Sequence, residues 1–226
     1  MGQMVTPQYL AAFNGRRVFI TGHTGFKGSW LAFLLKEIGA EVLGYALPPV
    51  EKSNHFDLLG LGQMVEHVEA DIRDEEKLIA TMNGFCPEFV FHLAAQALVR
   101  PSYSDPKTTI ETNVMGSVNL LEVVRKCKSV RSLVYITSDK CYENLEWLWG
   151  YRENDRLGGK DPYSASKACA ELISRVYMES FFKKHGPNIA TARAGNVIGG
   201  GDWASDRVVP DCVRAWSEKK PIIINY

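Results

Sequence analysis

Three absences narrow the reading before any motif is considered. No apolar run approaches the roughly 20 residues needed to cross a bilayer, so neither a membrane span nor a membrane partner is expected. No charge excess exists either: 26 basic against 26 acidic residues leave a formal net charge of +0. A nucleic-acid surface calls for a basic face, so nucleic acid is excluded from the expected partners. Cysteine is scarce and scattered, with five thiols at 86, 127, 141, 169 and 212 in no metal-ligand spacing and no disulfide framework. Reduced thiols in a cytoplasmic protein without a metal are expected. Residues 1–12 lack the long apolar h-region of a secretory signal. Internal repeats, low-complexity segments and clear linkers are missing as well.

What is present is an alternation of apolar strand-like and amphipathic helix-like segments in 226 residues that are 46% apolar, enough for a large core. Strands are expected at residues 16–21, 41–47, 65–70, 88–93, 132–137 and 188–193. Long helices are expected from about Asp105 to Lys126 and from about Pro162 to Lys184. Such βαβ alternation implies an α/β fold with a doubly wound parallel sheet whose ligands sit beyond the carboxyl ends of the strands.

The first strand runs straight into Gly22-His23-Thr24-Gly25-Phe26-Lys27-Gly28, and a helical pattern begins at once with Trp30, Leu31, Phe33, Leu34, Leu35 and Ile38. Glycines at 22, 25 and 28 allow a tight turn, bring bare backbone to a pyrophosphate and pack the helix close to the strand. The helix amino terminus offers unpaired N–H groups to the phosphate charge. This strand, loop and helix setting is what a dinucleotide-binding Rossmann turn requires. His23 and Lys27 are either phosphate-side contacts or polar loop residues. The second strand ends Tyr45-Ala46-Leu47-Pro48-Pro49 with no carboxylate for an adenosine ribose, which leaves NAD against NADP open on that criterion. Asp71-Ile72, after the third apolar segment, either meets the adenine edge or caps the helix over 75–82.

Tyr163 and Lys167 lie four apart, so on a helix the ammonium stands beside the phenol. A phenol of ordinary pKa, about 10, is a poor base near neutrality. A lysine cation and a positive nicotinamide ring both favour the phenolate. Lowering the pKa by roughly three units takes about 4 kcal/mol of differential interaction. Upstream, Thr137-Ser138-Asp139-Lys140 sets an acid and a potential base at another strand end. The combination of a redox-type Tyr/Lys pair with an acid/base couplet suggests oxidation and elimination at one site. Residues 143–161, with Trp147, Trp149, Tyr151 and Gly158-Gly159, are either a loop over that site or a surface excursion with its own small core.

Residues 21–28, the Leu93-Ala94-Ala95 turn, Ser138 and the Tyr163/Lys167 pair resemble the extended short-chain dehydrogenase/reductase family, which acts largely on nucleotide sugars. Four motifs in order, at 21–28, 137–144, 161–167 and 192–203, are similar to its 4,6-dehydratases, and to the branch that acts on CDP-glucose. The resemblance spans nearly the whole chain. It implies NAD held by residues 22–28, Asp71, Ile72, Leu93, Ala94, Ala95, Tyr163 and Lys167. It implies that Tyr163, helped by Ser138, takes the proton from the sugar O4 while hydride leaves C4. Water then departs across C5 and C6, with Asp139 as acid at the C6 hydroxyl. A glutamate is the C5 base in the better-known dehydratases, and Lys140 stands there in this chain. A lysine acts as base only when neutral, so burial and the neighbouring Lys167 cation are expected to lower its pKa.

By the same resemblance Asn196 touches the sugar diphosphate and Arg207 meets phosphate or nucleotide, against the alternatives of a turn residue and a surface pairing with Asp202, Asp206 or Asp211. Gln96 and Arg100, just past the fourth strand, are further candidates for the substrate. The expected organisation is a dinucleotide-binding domain over 1–190 and the start of a substrate lobe over 191–226. The strand-like run at 221–226 stops where members of the family continue, so the chain is expected to be truncated, with part of the nucleotide pocket missing. Members often form a homodimer, or a dimer of dimers, by packing the two long helices into a four-helix bundle. A 4-epimerase or ketoreductase of the same fold, which needs no acid/base couplet beside the serine, and a non-catalytic NAD-binding sensor are the competing readings.

Overall fold

The computed structural model describes residues 10–50 and 53–222. Six strands, β1 (Arg17–Thr21), β2 (Glu41–Ala46), β3 (Glu66–Glu69), β4 (Phe89–His92), β5 (Ser132–Ile136) and β6 (Asn188–Ala192), form one sheet in the order β3-β2-β1-β4-β5-β6. Every pairing is parallel, with Val18 beside Val42 on one side and Phe89 on the other. The helices are α1 (Phe26–Glu37), α2 (His55–Leu58), α3 (Leu61–Met64), α4 (Glu75–Phe85), α5 (Val99–Ser104), α6 (Pro106–Ile110), α7 (Gly116–Lys126), α8 (Pro162–Tyr177) and α9 (Val208–Ser217).

Alternation along β1 builds two cores, because successive side chains point to opposite faces. Val18 and Ile20 bury against Leu35, Val42, Phe56 and Leu61 on the α1 side. Phe19 buries with Leu43, Leu78, Leu120, Leu121 and Leu133 on the α4 and α7 side. Both faces of the central strands are covered, which is why they read as near-continuous apolar runs. The expected doubly wound α/β sheet is therefore the observed one.

The expected long helix over 105–126 is capped by Asp105, whose carboxylate accepts from Thr108 N at 3.0 Å. It passes through one π turn, Glu111–Met115, between α6 and α7. A second π turn, Met178–Phe182, closes α8. The short helix α5 was not expected. The expected domain boundary at 190/191 falls inside β6, which belongs to the sheet. The expected strand at 221–226 lies largely outside the described residues. Among the described residues no helix is long and apolar enough to cross a membrane.

Candidate active site

The glycine loop is shaped by backbone packed on backbone. Gly22 has φ +75°, and a Cβ there would stand 2.6 Å from Ala94 N. A Cβ on Gly28 would overlap the carbonyl of Gly22. Gly25 differs, because its Cβ would meet only Gly22 O at 3.5 Å, so the loop is open on that side. Gly25 caps α1 without a side-chain hydrogen bond. The first N–H groups of the helix have no intrahelical partner and face outward as anion donors. This cradle fits a dinucleotide diphosphate.

The rest of the loop is tied down. Thr24 Oγ1 donates to Leu47 O at 2.8 Å, linking it to the end of β2. His23 overturns the phosphate-side alternative for its side chain: the ring is fully buried over Gly44, against Phe56 and His67, with neither nitrogen hydrogen-bonded. Burial, aided by His67, lowers its pKa to about 4, so it stays neutral. The end of β4 packs on the same loop. Thr21 Oγ1 accepts from Leu93 N and Ala94 N at 3.2 and 3.1 Å and stands 2.6 Å from His92 Nδ1. Ala95 continues this turn, and the Gln96 side chain bonds back to Leu98 and Thr109. Gln96 thus has an internal occupation that the sequence reading did not anticipate.

Asp71 is not the cap of α4. Asp74 takes that place, accepting from Lys77 N at 3.0 Å. The Asp71 carboxylate is gripped by Arg73, whose hydrogen bonds hold it below the usual carboxylate range against the opposing effect of burial. Ile72 is buried against Gly116.

At the end of β5 the backbone continues to pair past β6: Thr137 N donates to Ala192 O and Asp139 N to Ala194 O, both at 3.0 Å. This fixes Ser138, whose hydroxyl donates to Asp139 Oδ1 at 3.0 Å and lies near enough to the Tyr163 phenol to favour its ionised form. Tyr163 opens α8 behind the N-cap Asp161 and Pro162. Its phenol and the Asp139 carboxylate therefore share one serine. Burial raises the phenol above its ordinary pKa, opposed by the Ser138 hydrogen bond and by the Arg207 cation. Lys167 stands one turn further along α8. Its amine is itself buried, and burial with repulsion from Lys27 lowers its pKa to about 8.

Lys140 departs from expectation more plainly. Its side chain is exposed, and the cation that faces Lys167 is Lys27, so neither the burial nor the lysine neighbour expected for Lys140 is found. Arg207 shows the surface-pairing alternative. It pairs with Asp202 at 3.2 Å and also acts on Lys27 and Tyr163. Lys27, its pKa lowered by burial and then by Arg207, has no ion pair among the described residues. Lys27, Lys167 and Arg207 thus gather positive charge between the glycine loop and the phenol, an arrangement that suits phosphate. Asn196 is exposed on the loop after β6. That loop folds back on α1, where Trp30 Nε1 donates to Gly200 O at 2.9 Å. Arg100 pairs with Asp206 at 2.7 Å.

Sequence reasoning missed the supports of α8. Ser102 of α5 accepts from Tyr163 N at 3.2 Å, and Asn113 joins Gln96 O to Ser166 Oγ at 3.0 and 2.8 Å. It also missed the buried pair Glu171 and Arg193, 2.9 Å apart. A carboxylate at i+4 from Lys167 on a buried face was the available signal for Glu171.

A profile of the family described as GDP-mannose 4,6 dehydratase matches residues 19–192. The chain belongs to this family. Among members of the wider dehydratase and epimerase group, the chain is 52% identical over 217 residues to a CDP-glucose 4,6-dehydratase of Salmonella typhimurium, covering 94% of this chain and 60% of that protein. A solved epimerase from Methanothermobacter thermautotrophicus superposes with a TM-score of 0.83 at 26% identity, over 96% of this chain and 63% of that one. A UDP-glucose 4-epimerase from Thermus thermophilus, solved with NAD, superposes with a TM-score of 0.72 at 31% identity, over 84% and 58% of the two chains. The chain spans about 60% of the length of these relatives. These matches bear out the expected membership in the extended short-chain dehydrogenase/reductase group.

Proposed function

We propose that the protein is a CDP-glucose 4,6-dehydratase, converting CDP-glucose to CDP-4-dehydro-6-deoxyglucose and water. The observation that carries this reading is Asp139, held by the Ser138 hydroxyl at 3.0 Å and near enough to Tyr163 to bear on its phenol, in a chain 52% identical to a dehydratase of that name. An epimerase or reductase needs the Ser and Tyr but has no use for an acid beside them.

NAD is the cofactor under this reading, held by Gly22 to Gly28, the Leu93 to Ala95 turn, Asp71, Ile72 and Lys167. When bound, it supplies the hydride acceptor at C4 and the hydride donor at C6. Tyr163, as the phenolate and helped by Ser138, takes the O4 proton and becomes neutral. Asp139 protonates the departing C6 hydroxyl, while Lys140 or a group it orients removes the C5 proton made acidic by the new carbonyl. Lys27 and Arg207 neutralise diphosphate, and Asn196 and Gln96 border the substrate side. The substrate lobe begins after Ala192.

A homodimer is part of the proposal. Leu172, Val176 and Phe181 on α8 and its π turn, with Ile110 and Met115, are large apolar side chains exposed along two packed helices, a surface that a second copy would cover. The unpaired state of all five cysteines fits a reducing cytoplasm. The deciding experiment supplies CDP-glucose and NAD to the whole protein and measures the 4-keto product by its absorbance in alkali, with mass loss of one water. A product that keeps its C6 hydroxyl overturns dehydration in favour of epimerisation or reduction.

A further inference from the structure

Tyr163, Lys167 and Glu171 are spaced four apart along α8, and all three are buried. The third of them has no place in the chemistry above. A buried carboxylate requires compensation, and Glu171 receives it from three directions. Thr137 Oγ1 at the end of β5, one residue before Ser138, donates to it. Thr191 Oγ1 in β6 donates at 3.0 Å, and Arg193 just beyond β6 donates at 2.9 Å. One side chain thus ties the helix that carries the phenol to the end of β5, which leads into Ser138 and Asp139, and to the end of β6.

Arg193 extends the connection outward. Its second nitrogen donates to Glu153 O at 3.0 Å, and its guanidinium lies over the Tyr142 ring, 4.9 Å from the centroid. Tyr142 stacks on Tyr151 at 5.1 Å and 18°. Tyr151 Oη in turn donates to Asn144 Oδ1 and accepts from Leu145 N at 3.0 and 2.8 Å. Asp139, Tyr142, Tyr151, Glu153, Thr191 and Arg193 line a cleft of about 430 Å³. The excursion over 143–161 thus lends Tyr151 and Glu153 to the wall of this cleft, while Trp147 packs on Trp149 and Tyr151 at 5.5 and 5.6 Å, the small core of the surface alternative.

Buried ion pairs contribute little net stability, and their better-attested use is to specify one arrangement. We propose that Glu171 and Arg193 are positioning residues that lock the Tyr142–Tyr151 wall and Asp139 in register with the phenol of Tyr163. The inference rests on the reading of Asp139 and Tyr163 as the sugar-handling pair. It assigns Glu171 and Arg193 to the elimination half of the site, with Glu171 also facing the buried Lys167 amine.

The test uses Glu171→Gln, which keeps the shape and removes the charge, and Tyr142→Leu, which leaves the ion pair intact, each in the whole protein. Hydrogen exchange reports the wall through the amides of Glu143 and Gly158, which bond Arg156 O and Cys141 O at 2.9 Å. The expected result for Glu171→Gln is exchange of those amides about tenfold faster, a kcat for dehydration down about tenfold or more, and KM for CDP-glucose and affinity for NAD within about threefold. Tyr142→Leu, should the first variant fold poorly, is expected to give the same split between kcat and KM. Unchanged exchange, a kcat within twofold of wild type, or a loss only in proportion to the unfolded fraction overturns the proposal. Absence of any 4-keto product from the wild type would instead sink the dehydratase reading, while the exchange result would still judge the coupling.

Discussion

The two sides of the cleft are built by different means. On the cofactor side, main chain lies on main chain: Gly28 under Gly22, Gly22 on Ala94, and His23 filling the gap that Gly44 leaves. On the sugar side, Asp139, Lys140 and Asn196 are exposed side chains on strand-end turns, positioned by a buried network one layer below. The first side tolerates no added atom at Gly22 or Gly28 and, under the proposed function, binds a group common to a whole family. The second side can change its chemistry by exchanging one side chain without disturbing the sheet, and under the proposed function Lys140 in place of a carboxylate base is such an exchange.

The largest effect is expected where the backbone side is broken. Gly22→Ala adds a Cβ at positive φ that meets Ala94 N at 2.6 Å, at a cost of roughly 3 kcal/mol or more. Urea denaturation should read that loss, and NAD affinity should vanish with it. A variant as stable as wild type would mean that the glycine loop is not closed on the β4 turn. Gly44→Ala should likewise destabilise the fold through His23, although residue 44 touches no ligand in the proposed site.

Next comes the chemistry of the adjustable side. Tyr163→Phe should lower turnover on the order of 10²- to 10⁴-fold while NAD affinity stays, measured by the 4-keto product and by cofactor titration. Lys140→Ala is expected to retain NAD binding and to lose elimination by about 100-fold, the lower end for a proton-transfer group. It should also accumulate a product that keeps its C6 hydroxyl. Undiminished dehydration would remove Lys140 from the mechanism and leave Asp139 to be served by another base.

The same contrast explains what was legible in the sequence. The strand, loop and helix of residues 17–37 could be read because the apolar run, the glycine spacing and the helix start are all local. The Tyr/Lys helix could be read because four-residue spacing is geometry within one element. His23 could not, since the direction of its ring depends on an absent side chain at Gly44, in the next strand. Lys140 was expected to be buried because a lysine that serves as a base must be held neutral, yet the short turn over Asp139–Cys141 buries Cys141 and leaves Lys140 exposed. Glu171 and Arg193 meet only because β6 docks beside β5. Pairings of that kind have no signature in spacing along the chain.

The smallest effect separates two lysines that the sequence alone could not rank. Lys167 has a folded-state pKa near 8 against an ordinary 10.5, chiefly because burial disfavours the cation. Between those values the unfolded chain holds one more proton than the folded one, so stability rises with pH, by at most about 1.4 kcal/mol per pH unit. Below pH 8 both states are protonated and this contribution is flat. The groups that face the amine are Lys27, Glu171 and Cys141, with His92 beside them. Burial raises the Cys141 thiol from 9 to about 11, so above pH 9 it works in the opposite direction. The window in which Lys167 acts without that opposition is therefore pH 8 to 9. Lys167→Met should lose the rise in urea midpoint across that window, whereas Lys140→Ala, altering an exposed side chain, should keep it. Parallel curves for wild type and Lys167→Met would mean that the amine is solvated, and that the positive charge gathered beside the phenol rests on Lys27 and Arg207 alone.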